Sequence, residues 1–248
     1  MQPCPREFAR SLILSKWSDA LRCRYFTHMY EKALQECGYT GSMMYWDWTL
    51  SSADPFNAPI FSDKVGIGGD GVQSQSCTYL SGQPQQCVAT GPFAMLRPAY
   101  FGSRFEPHSL VRCFTCGVSA TMYNDTWTAE VVNNVQKATG YAKYGQELYM
   151  GPHLNIHEAI GGDFPQTTSP NEPLFFLHHT QVDRLWWKWQ QADLEYRLHQ
   201  YEGTNVDNSV NTLAKVSDTM HVLGLAMDVP VAEVMNTEGG MLCYRYAN

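Results

Sequence analysis

Between Asp19 and Cys37 the apolar residues Cys23, Phe26, Tyr30, Ala33, Leu34 and Cys37 recur three, four and seven positions apart, and Gly38 follows. That is the spacing of one buried face of an α-helix with glycine as its stop, so the pattern predicts an amphipathic helix there. Residues 50–120 hold no sustained period and are rich in Gly, Ser, Pro and Gln, which predicts long irregular loops with a few short strands. A second helix is predicted from a Thr126 cap to Gly140, with Val131, Val132, Val135 and Ala138 on its inner side. A third helical stretch is expected over Tyr144 to Ile160. After Gly161-Gly162, the run Ser169-Pro170-Asn171-Glu172 has the form of a capping box leading into a helix to Leu194, with Pro173 able to delay its start. There is no internal repeat and no linker-like break, so the pattern predicts one mainly α domain.

Composition narrows the function classes. The 248 residues carry 17 Lys+Arg against 24 Asp+Glu, a formal charge of −7, with no basic cluster. Nucleic acid and anionic membrane both need concentrated positive charge, so neither is expected as a partner. No stretch approaches the ~18 apolar residues that would span a bilayer. Leu12-Ile13-Leu14 is too short for the core of a secretion signal, so the chain as written carries no export address. Eight cysteines leave the redox compartment open, and Cys113 with Cys116 predicts a disulfide or buried thiols rather than zinc, which would need a second such pair. Gly66-Ile67-Gly68-Gly69-Asp70-Gly71 fits GxGxxG, but no strand leads in and no helix follows, so it reads as a glycine-rich surface loop. Aromatic residues reach 13%, and Tyr45-Trp46-Asp47-Trp48 and Trp186-Trp187-Lys188-Trp189 suit a core or a ring-binding pocket.

The histidines carry the chemistry. His153 and His157 are i and i+4 in a predicted helix, which sets both imidazoles on one face within reach of one metal ion. A zinc protease places a glutamate directly after its first histidine; here Glu158 follows the second, which disfavours peptide hydrolysis. His178 and His179 follow on the next long helix. His179 shares a stripe with Phe175, Val182 and Trp186 and should be buried, while His178 should point about 100° away. Asp183, one turn after His179, is a candidate hydrogen-bond acceptor behind it. Imidazoles of this kind suit zinc, copper or iron.

The string from GPHLNIH through AIGGD to SPNEPLFFLHHTQVDRLWWKWQ resembles the second copper site of the tyrosinase and catechol oxidase family, the type 3 copper proteins, especially secreted fungal members. Arg24-Tyr25-Phe26, Tyr45-Trp46-Asp47-Trp48, Gly91-Pro92-Phe93 and Tyr244-Arg245-Tyr246 extend the likeness to about residues 24–248. The resemblance implies a four-helix bundle with two coppers, each held by three histidines, that oxidises phenols or catechols to quinones with dioxygen, and an extracellular protein. It makes His153, His157 and His179 ligands of the second copper, with His178 and Asp183 around it. Residues 23–248 would then form the copper-binding domain and 1–22 an unmatched segment.

Two departures bear on that expectation. The family's last first-copper histidine stands just before an arginine and an aromatic residue at the head of the first long helix, and that position is Cys23 here, ahead of Arg24-Tyr25. Residues 1–22 contain no histidine that could supply the other two ligands, as expected of a mispredicted first exon or a truncated copy. His28 lies about 140° around the helix from Cys23 and should face elsewhere, and His108, His199 and His221 fall in loops as expected surface residues. The second departure is Leu154, where monophenol-hydroxylating members commonly carry Asn. An apolar side chain cannot hold the water that would deprotonate a phenol, so o-diphenols are the expected substrates. A mononuclear, non-catalytic metal-binding remnant is the alternative.

Overall fold

The structure, a computed structural model, describes residues 19–73, 77, 80, 85–114, 116, 124–205, 212–222 and 224–247. Its centre is helix α5, Leu174–Gln191, fifteen of whose eighteen residues are buried. A helix buried all round must lie inside other elements, and α5 packs against α1, Asp19–Glu36, and α2, Ala129–Gln136. Phe26 of α1 lies edge-on to Phe175 at 5.7 Å and Tyr30 stacks on Phe176 at 3.5 Å, which locks the two long helices together. On the other side Trp189 donates from its indole to the Ala138 carbonyl at 2.8 Å and stacks on Tyr144 of α3, Tyr141–Leu148. The mainly helical architecture is as the pattern predicts.

The boundaries differ from the sequence expectation where proline and local side chains intervene. Thr128, not Thr126, caps α2 by accepting from the Val131 amide. The expected third helix is two helices, α3 and α4, Leu154–Ile160, joined by a π-helical turn over Tyr149–His153. Pro152 has no amide hydrogen to continue the ladder and Gly151 leaves the helical region, which breaks the rod there. Ser169–Asn171 form only a single 3-10 turn, and α5 starts after Pro173. Glu172, expected to close a capping box, instead clamps the buried Arg112 guanidinium with both oxygens, at 2.7 and 3.0 Å, and accepts from the Leu174 amide.

The long loop region carries two-residue antiparallel ribbons. β1, Val72–Gln73, pairs with β2, Gln86–Cys87, and β3, Tyr100–Phe101, with β4, Arg104–Phe105; outside that region, after α5, β5, Thr204–Asn205, pairs with β6, Thr212–Leu213, and β7, Thr219–Met220, with β8, Val229–Pro230. Disulfides Cys77–Cys87 and Cys113–Cys116 staple it. Arg112 donates to the carbonyls of Gly68 and Gly69, so the glycine-rich loop is a clasp around an arginine. After α4 the chain turns through Gly161 and Gly162, at φ of 64° and 60°. A Cβ on Gly162 would stand 2.2 Å from the Val111 carbonyl oxygen, so both backbone twist and close approach demand glycine. This turn returns Phe164 beneath α4.

His108 departs from expectation. It is 1% exposed, its Nδ1–H donates to the Glu106 carbonyl at 2.7 Å and its Nε2–H to Asp163 at 2.9 Å. Asp163 also accepts from the Val111 amide and from Asn171, so a buried imidazole–carboxylate pair ties three loops together. His199 and His221 are exposed, as expected.

Candidate metal centre

Four imidazoles converge between α4 and α5. His153, His157, His178 and His179 are buried, and one ligand nitrogen from each lies within 4.8 Å of all the others. Their six ring-centre separations run only from 4.8 to 5.3 Å. His178 therefore does not point away, as the helical angle alone suggested: adjacent residues about 100° apart on α5 straddle the gap that α4 fills, and both reach into it. Phe164 stacks on His157 at 4.1 Å, Phe175 on His179 at 3.9 Å, and Trp48 meets His178 edge-on at 5.9 Å, so the pocket wall is aromatic.

Tautomers follow from the partners. The Phe164 carbonyl can only accept, so His157 carries its proton on Nδ1 and presents a bare Nε2. His179 Nε2 lies 3.1 Å from that atom and donates to it, which leaves His179 Nδ1 to accept from the Cys23 thiol at 2.7 Å. Burial pulls the His157 pKa down to about 4, and burial reinforced by neighbouring imidazoles holds His153, His178 and His179 well below the ordinary value. Four neutral imidazoles are the protonation state in which a metal is bound.

Both ring nitrogens of His153 and of His178 are buried without a hydrogen-bond partner among the described residues. Groups left in that condition cost stability unless something satisfies them. A metal ion does so, and an all-imidazole donor set is chemistry that copper or zinc accepts. The residues therefore fit a metal ion.

Asp183, expected behind His179, is engaged elsewhere. Its Oδ1 accepts from Arg24 Nε at 2.6 Å, and its Oδ2 from the phenols of Tyr244 and Tyr246, the latter at 2.6 Å. Arg24 is fully buried, lies 3.7 Å over the Trp186 ring, and also donates to the carbonyls of Val234 and Met235 and to Gln190. Burial and the Asp183 charge push both phenols well above the usual tyrosine range, so they stay donors. The partner behind His179 is Cys23, the residue in the expected first-copper position. His28 stands apart from the cluster, stacked on Tyr244 in a cleft of about 270 Å³ that Tyr45 and Thr180 also line. Leu154 opens α4 half-buried next to His153, and Glu147 is taken up by a surface pair with Lys143.

The common central domain of tyrosinase matches residues 23–192. The chain belongs to the tyrosinase family. This tyrosinase-family chain is 38% identical over 225 residues to Tyrosinase ustQ of Aspergillus flavus, covering 90% of the chain and 62% of that protein. It is 37% identical over 221 residues to Tyrosinase-like protein phomQ2 of Diaporthe leptostromiformis, covering 88% and 56% respectively. The tyrosinase-family chain thus spans less than two thirds of the length of these relatives. Among solved structures, a polyphenol oxidase variant from Thermothelomyces thermophila superposes with a TM-score of 0.74 at 27% identity, over 94% of this chain and 73% of that one. A tyrosinase from Burkholderia thailandensis shares the fold at a TM-score of 0.54 and 15% identity, over 90% of this chain and 58% of that one. The family implies copper and an oxidoreductase ancestry. No helix among the described residues is long and apolar enough to cross a membrane.

Proposed function

We propose that residues 23–248 form a copper-binding domain in which His153, His157 and His179 hold copper, and that the protein is a copper-dependent oxidoreductase converting o-diphenols or related phenols to quinones. The observation that carries this is the buried cluster of four converging imidazoles on a tyrosinase-family scaffold. When bound, copper would supply the electron transfer by which two catechols each give up two electrons and two protons, and one dioxygen takes them to give two waters. The chain's own residues set the conditions for this. The Phe164 carbonyl fixes the His157 tautomer, Phe175 and Phe164 brace two rings, and Trp48 packs edge-on against His178. Leu154 offers no hydrogen bond to a water beside a bound phenol, which favours diphenols over monophenols. Disulfides Cys77–Cys87 and Cys113–Cys116 support an extracellular or secretory location, since thiols stay reduced in the cytosol.

A specific observation favours a second reading, a single-metal, non-catalytic form. Cys23 stands where a first-copper histidine is expected, and the four histidines outside the cluster are engaged or placed elsewhere: His28 on Tyr244, His108 on Asp163, His221 on Asp228, and His199 exposed. Copper reconstitution decides between the two. Two coppers per chain, silence in electron paramagnetic resonance from a coupled cupric pair, and dioxygen uptake with catechol support the oxidase. One copper with an isolated cupric signal and no uptake supports the second reading, and no copper at all sinks both.

A further inference from the structure

We propose that the cleft beside His28 is a binding site for a small aromatic ammonium ion, separate from the histidine cluster and independent of metal. The cleft, of about 270 Å³, lies on another side of the seam between α1 and α5: His28 is about 140° around α1 from Cys23, and Cys23 is the residue that meets His179. Its volume is just below the roughly 300–1,000 Å³ of small-molecule pockets, which leaves room for one ring and a short arm. The wall is aromatic and already fixed. Tyr246 meets Tyr45 edge-on at 6.1 Å and Tyr244 edge-on at 5.6 Å, and His28 lies nearly parallel to Tyr244. The hydroxyls of Tyr244 and Tyr246 are tied to the buried Asp183, and Arg184 lies 4.5 Å over the Tyr45 ring. These rings are held before a ligand arrives, so little side-chain entropy is lost on binding.

One charge in the cleft has no counterpart. Glu31 accepts from the Met43 amide at 2.7 Å through Oε1, which fixes the carboxylate, and its Oε2 has no hydrogen-bond partner among the described residues. The nearby cations are engaged or stand outside: Arg245 lines the cleft but is paired with Glu238, Arg184 is paired with Asp47, and Lys32 does not line it. Burial, and then Lys32, lowers the His28 pKa against the pull of Glu31, so that ring is neutral at neutral pH. A carboxylate beside tyrosine rings attracts an organic cation twice, through a charge-assisted hydrogen bond and through contact with the ring faces. An anion of the same shape is repelled by both. An ammonium ion without a ring leaves the tyrosines uncovered.

Phenethylammonium is the probe, because it has ring, arm and charge but no hydroxyl to oxidise; with the full chain kept metal-free it cannot act as a metal ligand. Nitrogen-15 amide spectra should show saturable shifts centred on Met43 and residues 244–247, with a dissociation constant of about 1 mM or below. Two controls on the wild type, 3-phenylpropionate with the charge reversed and ethylammonium with the ring removed, should each bind at least about tenfold more weakly. Glu31→Gln keeps an acceptor for the Met43 amide but removes the charge, so it should melt close to wild type and bind phenethylammonium at least about tenfold more weakly. The three-probe comparison stands however that variant folds. No saturable shift up to about 10 mM, 3-phenylpropionate binding within about twofold of phenethylammonium, or a folded Glu31→Gln that binds as wild type does overturns the site. Shifts centred on residues 153–179 instead overturn it too, and none of these outcomes touches the copper proposal.

Discussion

Replacing Asp183 by alanine should be among the most damaging single changes in the molecule. It leaves the Arg24 guanidinium fully buried with its counter-charge gone, and removing one partner of such a pair costs about 3–5 kcal/mol. The phenols of Tyr244 and Tyr246 lose their acceptor at the same time, at about 1–3 kcal/mol for each one that water does not reach. The total, about 5 kcal/mol or more, compares with the roughly 5–15 kcal/mol that holds a whole domain folded. Arg24→Met should cost less, about 3 kcal/mol, because Asp183 keeps two phenol donors. The double variant Arg24→Met with Asp183→Leu buries no charge and should be more stable than Asp183→Ala. Urea unfolding of the metal-free proteins reads each value from the midpoint at constant slope. An Asp183→Ala cost below about 1 kcal/mol, or a double variant that loses the sum of the two singles, would refute the account of this network.

Three further outcomes are expected. Unfolding exposes His157, whose folded pKa is about 4, so the unfolded chain protonates first; its stabilisation is complete above about pH 6.5 and about 3 kcal/mol of it is lost as pH falls to 4, which urea midpoints of metal-free protein against pH will show. The other three cluster histidines act in the same direction. His108 has the opposite sign: burial lowers its pKa, but Asp163 and the Glu106 carbonyl outweigh that and raise it, so its stabilisation is full below about pH 6.5 and is lost as pH rises through the folded value. Asp163→Asn should remove that dependence at a cost of about 1.5–3 kcal/mol at pH 6, and an unaltered pH profile would count against the pair. Cys77→Ser opens a loop with a sequence separation of 10 and should cost about 2–3 kcal/mol, visible as a lower urea midpoint.

Much of the scaffold was legible because it depends on short-range periodicity. The apolar spacing in α1 and the stripe of Phe175, His179, Val182 and Trp186 in α5 both report helices whose faces are fixed by the sequence itself. The split between α3 and α4 was written in Gly151-Pro152, a signal that the histidine spacing overshadowed. Other features had no local trace. Arg24 finds Asp183 across 159 positions, and His108 finds Asp163 across 55, so neither burial could be read from neighbours. For the site, His153, His157 and His179 follow from spacing and resemblance. His178 was set aside on helical angle, which gives the direction of a side chain but not the width of the gap beside it. Cys23 was legible as a departure; its contact with His179 needed the two helices to be packed.

The π-helical turn at Tyr149–His153 divides the four imidazoles between two very different supports. Two belong to α5, buried along its length, while the other two lie at the start and within α4, which has seven residues and no side-chain cap. A helix that short does not persist alone in water; α4 exists because the histidine rings, Phe164 and the Gly161-Gly162 turn hold it down. It is therefore the part of the pocket that opens first by local unfolding, with α5 staying shut. An ion held by these histidines would leave by the door that α4 makes, with a residence time set by how often two helical turns let go. Amide exchange along residues 154–160 becomes a direct clock for that event, slow when the pocket is loaded and fast when it is not.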